Sequence, residues 1–182
     1  MPESSRIVVG VAGRIGSGKT AVARQIEREF GFQYLRYSQI LAEWCETDPA
    51  DKVRLQSIGG KVMSGVGQLE LNRRLIRRID PARDAVVDGL RHPIDYESLH
   101  GQFGDRFFLI FVEAPPGVRF SRLRDRYSTF DRFRKADGHP VESHIDSLQP
   151  LAFVTLPGTL PGEPLLASLK SAIFDFREGM VA

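Results

Sequence analysis

The stretch "GRIGSGKT", residues 13–20, satisfies the pattern G-x-x-x-x-G-K-[ST] at every fixed place, and the apolar run Ile7 to Ala12 leads into it. A glycine-rich turn between a strand and a helix points successive backbone N–H groups at one phosphate, and the helix that follows adds the positive end of its dipole. Gly13, Gly16, Ser17 and Gly18 supply the backbone of such a cradle. Lys19 is placed to reach the β- and γ-phosphates as a point charge, and the Thr20 hydroxyl to meet a Mg²⁺ ion. The stretch therefore predicts a nucleoside triphosphate site with Mg²⁺ as its metal.

Reading outward, Lys19 to Phe30 repeats Val22, Ile26 and Phe30 at helical spacing, and Gly31 supplies a stop. "FQYLRY" reads as a second strand, and "SQILAEW" as a helix that Ser38 can cap. Residues 48–80 are helical in composition, broken near Gly65 and Gly67 and closed by Pro81. "DAVVDG", "RFFLIFVE" and "LAFVTL" read as three further strands. "HPIDYESLHGQF", "PPGVRFSRLRDRY" and "LPGEPLLASLKSAIFDFREG" read as helices, and "STFDRFRKADGHPVESHIDSLQ" as a mobile polar loop with some helix. Apolar runs alternating with amphipathic segments predict an α/β fold, a mostly parallel sheet with helices on both faces.

A chain of 182 residues suits one domain. Its net charge of +2 gives no overall sign that would favour nucleic acid or an anionic membrane. The single Cys45 cannot form an internal disulfide, and the N-terminal residues lack the pattern of a signal peptide, so a cytoplasmic protein is expected. The longest apolar runs fall well short of the roughly 20 residues that a bilayer crossing needs.

A bound triphosphate can be hydrolysed by a switch, hydrolysed by a motor, or passed to an acceptor. A guanine-specific switch needs an asparagine-lysine-x-aspartate loop, and the only asparagine is Asn72, inside "LNRR". A ring-type motor needs a helical domain after the last strand, and few residues follow it here. Phosphoryl transfer remains, and it needs a second site with cations to spread over the transferring group. Asp88, in "AVVDG", falls at the carboxyl edge of the sheet and suits a metal-bound water or an acceptor proton. Arg91 can reach a phosphate from the same edge. Arg119, Arg122 and Arg126 fall on one face of a helix by their i, i+3, i+7 spacing, with Arg122 and Arg126 the preferred pair. Arg36 and Ser38 after the second strand, and Arg54 with Gln56 in the helical excursion, are candidates for an acceptor pocket.

"GRIGSGKTAVARQIEREFGF", "VVDGLRHPIDYESL" and "FVEAPPGVRFSRLRDR" together resemble the P-loop nucleotide kinases, in the branch that holds dephospho-CoA kinase and the phage-type deoxynucleoside monophosphate kinases. "RLQSIGGKVMSGVG" is similar to the segment leading into the acceptor helices of the phage-type enzymes. The resemblance implies a three-layer P-loop NTPase fold with five parallel strands, an acceptor-binding helical insertion near residues 38–80 and a lid near 126–145. It implies that Lys19 and Thr20 serve the triphosphate and Mg²⁺, Asp88 the metal water or acceptor, Arg91 the acceptor phosphate, and Arg122 and Arg126 the transferring phosphoryl. The implied partner is a small nucleotide acceptor, a (deoxy)nucleoside monophosphate. Dephospho-CoA or a modified nucleic-acid base is the alternative acceptor, and a nucleotide-binding regulator or partner-activated ATPase the alternative class. Two stretches depart from the family pattern. "RYSQILAE" lacks the aspartate-rich signature of dephospho-CoA kinases, and "FVTLPGTLPG" stands where related kinases place an asparagine beside the adenine.

Overall fold

The computed structural model describes residues 6–48, 50–51, 54–55, 57–58, 67–139, 142 and 144–181. Five strands, β1 (Val8–Ala12), β2 (Gln33–Arg36), β3 (Ala85–Leu90), β4 (Phe107–Glu113) and β5 (Val154–Pro157), form one sheet in the order β2-β3-β1-β4-β5. Every pairing is parallel, as the alternation of apolar runs and helices predicts.

The inner strands β1, β3 and β4 are largely apolar and buried because both their faces are covered, whereas the edge strands β2 and β5 are only partly buried. Ile7, Val9, Val11, Phe108, Ile110 and Val112 turn to one face, where α1 (Lys19–Phe30) contributes Val22 and Ile26, and α7 (Gly162–Val181) contributes Leu165, Leu169 and Ile173. Val8, Ala12, Val87, Leu109 and Phe111 turn to the other. There they meet α2 (Tyr37–Trp44), α3 (Gly67–Ile76), α4 (Pro93–Phe103) and the 3-10 segment Ile145–Leu151. No described helix is long and apolar enough to cross a membrane.

Two local expectations are corrected, and the helix expected within the polar stretch is located. The helix after β2 begins at Tyr37, directly after the extended Arg36, so Ser38 lies inside its first turn and does not cap it. The arginine-bearing helix α5 (Pro116–Arg122) ends earlier than the spacing implied: the Leu123 N–H bonds to Phe120 O and the Arg126 N–H to Leu123 O. These tight turns carry Arg126 off the helix face it was expected to share with Arg119 and Arg122. The polar stretch after it contains a regular helix, α6 (Phe130–Asp137), capped by the Thr129 hydroxyl accepting from the Arg132 N–H and anchored by the buried Phe133. Gln56 and Gly65 lie outside the described residues.

The loop after β5 presses against the phosphate-loop sequence. Gly158 donates its N–H to Glu113 O at 2.7 Å, and a Cβ built on it would stand 1.8 Å from Ser17 O. Only glycine allows that approach of two backbones. Gly158→Ala is therefore expected to lower the unfolding free energy by about 1–3 kcal/mol, the range for overpacking a close contact. Denaturant titration would show it as a lower midpoint with an unchanged slope.

Candidate active site

Residues 13–20 wrap the end of β1 and open α1. Gly16 and Gly18 take left-handed backbone, with φ of 77° and 103°, and turn the loop inward. A side chain at Gly13 would collide with Val112 O, 2.2 Å from the ideal Cβ position. Ser17 is fully buried, and its Oγ has no partner among the described residues.

Register explains how Asp88 reaches this loop. It pairs with Val11 of β1 on one side and Arg36 of β2 on the other, so its carboxylate emerges between the phosphate loop and the start of α2. Asp88 is 0% exposed, and its Oδ2 accepts hydrogen bonds from Thr20 Oγ1 at 2.9 Å and Tyr34 Oη at 2.7 Å. Arg36 Nε stands 3.4 Å from the same oxygen. Burial, and then the Asp88 charge, push the Tyr34 hydroxyl far above its usual pKa, so it remains a donor. Asp88 Oδ1 is buried with no partner among the described residues. An orphaned carboxylate oxygen beside a threonine hydroxyl is an oxygen donor set that fits Mg²⁺, a hard cation completed by phosphate oxygens and water.

Beyond Lys19 a cavity of about 290 Å³ opens between the sheet edge, α2, α3 and the segment after α5. Arg36, Arg91 and Arg126 bring positive charge to it, and Ser38 and Gln68 bring neutral polar groups. Leu41, Leu55, Leu71, Leu123 and Ile15 give it an apolar wall. Lys19 faces this space and approaches Arg14 O at 3.4 Å. Desolvation, and then the nearby Arg91 charge, push its pKa down to about 8.

The expected residues are divided by this geometry. Lys19, Thr20, Arg36, Ser38, Asp88, Arg91 and Arg126 all line the one cavity. Arg122 does not line it. Its guanidinium donates to the carbonyls of Gly16, Ser17 and Gly158, clamping the loop after β5 onto the phosphate loop. Arg54 is exposed and also stays outside, while its neighbour Leu55 turns in. Arg119 is 4% exposed and is committed to Asp137, with contacts of 2.6 and 3.0 Å, and to the carbonyls of Ala114 and Ile15.

Several participants escaped the sequence reading. Asp95 is buried and accepts from Gln68 Nε2 at 2.5 Å, Asn72 Nδ2 at 3.1 Å and the N–H groups of Arg91 and His92, each at 3.0 Å. Burial pushes its carboxyl above the usual range, against those hydrogen bonds. Tyr37 donates to Asn72 Oδ1, so α2, α3 and the Arg91 backbone share one network. Glu142 is 0% exposed and binds Arg91 Nη1 at 2.7 Å and the Ile15 N–H at 3.1 Å. Gln68 and Asn72 precede Asp95 by 27 and 23 residues, so no local spacing pointed to the contact; only the acid three residues after His92, at an N-terminal helix turn, carried a local signal.

Comparison with known proteins agrees with the loop and the sheet. A family model described as an AAA domain matches residues 12–140. A UPF0200 protein of Aeropyrum pernix is 31% identical over 131 residues, covering 69% of this chain and 68% of its own. The chain belongs to the UPF0200 family and carries an AAA domain. A second UPF0200 protein, from Halobacterium salinarum, is 28% identical over 76% of this chain and 73% of its own. Among solved structures, the gluconokinase of Sinorhizobium meliloti covers 96% of this chain and 95% of its own with a TM-score of 0.66 at 15% identity. The shikimate kinase of Aquifex aeolicus covers 92% of this chain and 96% of its own with a TM-score of 0.62 at 13% identity. This UPF0200 chain thus has the P-loop fold found in small-molecule kinases.

The lowered Lys19 pKa gives a testable pH dependence. A bound phosphate raises that pKa again, so above pH 8 binding must take up a proton. Affinity for Mg²⁺-ATP is expected to be flat below about pH 7.5 and to fall towards about tenfold per unit above pH 8. Calorimetric titration from pH 7 to 9.5 would show the inflection, and Lys19→Arg should remove it.

Proposed function

We propose that the chain is a Mg²⁺-dependent kinase that passes the γ-phosphoryl group of ATP to a phosphate-bearing nucleotide, a (deoxy)nucleoside monophosphate. The observation that carries this reading is the position of Asp88. Its carboxylate touches Thr20 of the loop that cradles the donor, and it lines a cavity with Arg36, Arg91 and Arg126 that lies on the far side of Lys19. A hydrolase has no need of such an arginine-lined cavity with an apolar wall.

Thr20 and Asp88 would hold Mg²⁺, which supplies positive charge against the oxygens of the triphosphate. Lys19 and Arg126 neutralise the transferring group, and Arg91, Arg36 and Ser38 orient the acceptor. The apolar wall suits a base better than a polyhydroxylated chain. Arg122 secures the donor side by holding the loop after β5 against Gly16 and Ser17. On the acceptor side α2, Leu55 and α3 wall the cavity, and Leu123, Arg126 and Glu142 close it against water, which strengthens every charge interaction inside. Catalysis comes from positioning and charge neutralisation, with little covalent work for the protein.

A second reading, phosphoryl transfer to a small carboxylic acid, draws on the fold likeness to gluconokinase and shikimate kinase. The test is ATP consumption with Mg²⁺ across nucleoside and deoxynucleoside monophosphates, dephospho-CoA, gluconate and shikimate, with product masses. A monophosphate that raises the rate above the acceptor-free control and gains one phosphoryl group is the expected result. Turnover of none of them, with ATP still bound, contradicts the monophosphate reading and favours a larger acceptor or a nucleotide-binding regulator. With the acceptor in hand, Asp88→Asn should lower kcat by about 10²–10³-fold, in the range seen for loss of one electrostatic group. Arg91→Ala should raise the acceptor KM much more than it changes ATP affinity.

A further inference from the structure

Arg91 is assigned to the acceptor, yet its charge is already matched. Glu142, from the segment after α6, is fully buried and uses both carboxylate oxygens, Oε1 on Arg91 and Oε2 on the Ile15 N–H of the phosphate loop. It lines the same cavity as Lys19 and Asp88. The flanking segments are fastened to the phosphate loop by further ion pairs: Asp137 at 3.2 Å and Asp146 at 2.7 Å from Arg14, with Asp137 also on Arg119. Glu142 is therefore delivered to the cavity by a framework that holds it in place.

We propose that Glu142 is a specificity-determining residue, a resident competitor for Arg91 that admits acceptors carrying a dianionic phosphate and turns away those carrying a carboxylate. The inference rests on the reading of Arg91 as the acceptor arginine. An incoming carboxylate offers Arg91 the same single charge that Glu142 already provides through Oε1, its Oε2 being held by the Ile15 N–H. It must also surrender its freedom of motion, whereas Glu142 is tethered and present at high effective concentration. Exchange of like for like gains nothing. A phosphate monoester brings close to two charges and three acceptor oxygens, so it binds Arg91 more strongly and can engage Arg36 or Arg126 as well. Gluconokinase and shikimate kinase share the fold, so the chemical class of the acceptor is set by charges placed on it and not by the sheet.

The test uses a matched pair of probes with the same apolar body, phenyl phosphate and benzoate, titrated calorimetrically into the full chain loaded with Mg²⁺ and a non-hydrolysable ATP analogue. The unaltered chain is expected to favour phenyl phosphate by about tenfold or more. Glu142→Gln keeps the size and one acceptor oxygen but removes the charge; benzoate affinity should then rise about tenfold and more than that of phenyl phosphate, narrowing the gap. Equal affinity for the two probes in the unaltered chain, which requires no variant, overturns the proposal, as does a gap that Glu142→Gln leaves unchanged. Thermal unfolding of Glu142→Gln establishes that the variant compared is folded. The kinase reading fails separately: a selective gain for benzoate with no ATP-dependent turnover of any acceptor would leave the Glu142 proposal standing and remove the kinase. Turnover of a nucleotide with an unchanged probe gap would do the reverse.

Discussion

The bond between Thr20 and Asp88 joins two parts of the chain that are 68 residues apart and carry different halves of the site. Asp88 is fully buried, and burying a carboxylate is costly unless hydrogen bonds or positive charge match it. Thr20, Tyr34 and Arg36 gather on a single oxygen, which leaves the other directed at nothing among the described residues. The parallel register makes this possible. β3 lies between β1 and β2, so the residue at position 88 is within reach of both the phosphate loop and the beginning of α2. Displacing Asp88 by one position would turn its side chain to the opposite face of the sheet.

Charge around the cavity is partitioned with similar economy. Arg14, Arg91 and Arg119 each meet a carboxylate carried by Asp137, Glu142 or Asp146, which come from the end of α6 and the chain that follows it. These pairs hold that segment against the phosphate loop. Lys19 and Arg126 face the cavity without a carboxylate hydrogen-bonded to them among the described residues. Desolvation and then the Arg91 charge lower the Lys19 pKa, against the opposing pull of Glu142 and Asp88. Arg122, which the spacing of arginines grouped with Arg126, does a different job because α5 ends at Arg122 and the chain then tightens. One guanidinium is left over the outside of the loop and the other is carried to the cavity.

What the sequence disclosed was governed by local rules. The phosphate loop, the helix Lys19–Phe30 and the placement of Asp88 at a strand edge all follow from short-range pattern, and the structure reproduces each. The end of α5 could not be read from arginine spacing, since a continuous helix and a helix followed by tight turns have the same sequence period over so short a run. Glu142 and Asp95 were hidden for another reason. A lone acid in a polar stretch is ordinarily solvated, and only tertiary contact with Ile15 and Arg91, or with Gln68 and Asn72, buries it. Nothing in the sequence sets Gly158 apart from other glycines after proline; the backbone of Ser17 beside it is what makes it obligatory.

The most direct test of the central claim, that Thr20 and Asp88 act together on the metal-bound donor, is a double-mutant cycle of Thr20→Val and Asp88→Asn. Its readout is the Mg²⁺ dependence of ATP affinity. If the two residues serve one ion, either substitution alone removes most of that dependence and the double variant loses little more, giving strong non-additivity. Additive losses, or an Asp88→Asn variant that keeps the full Mg²⁺ dependence, would contradict the account.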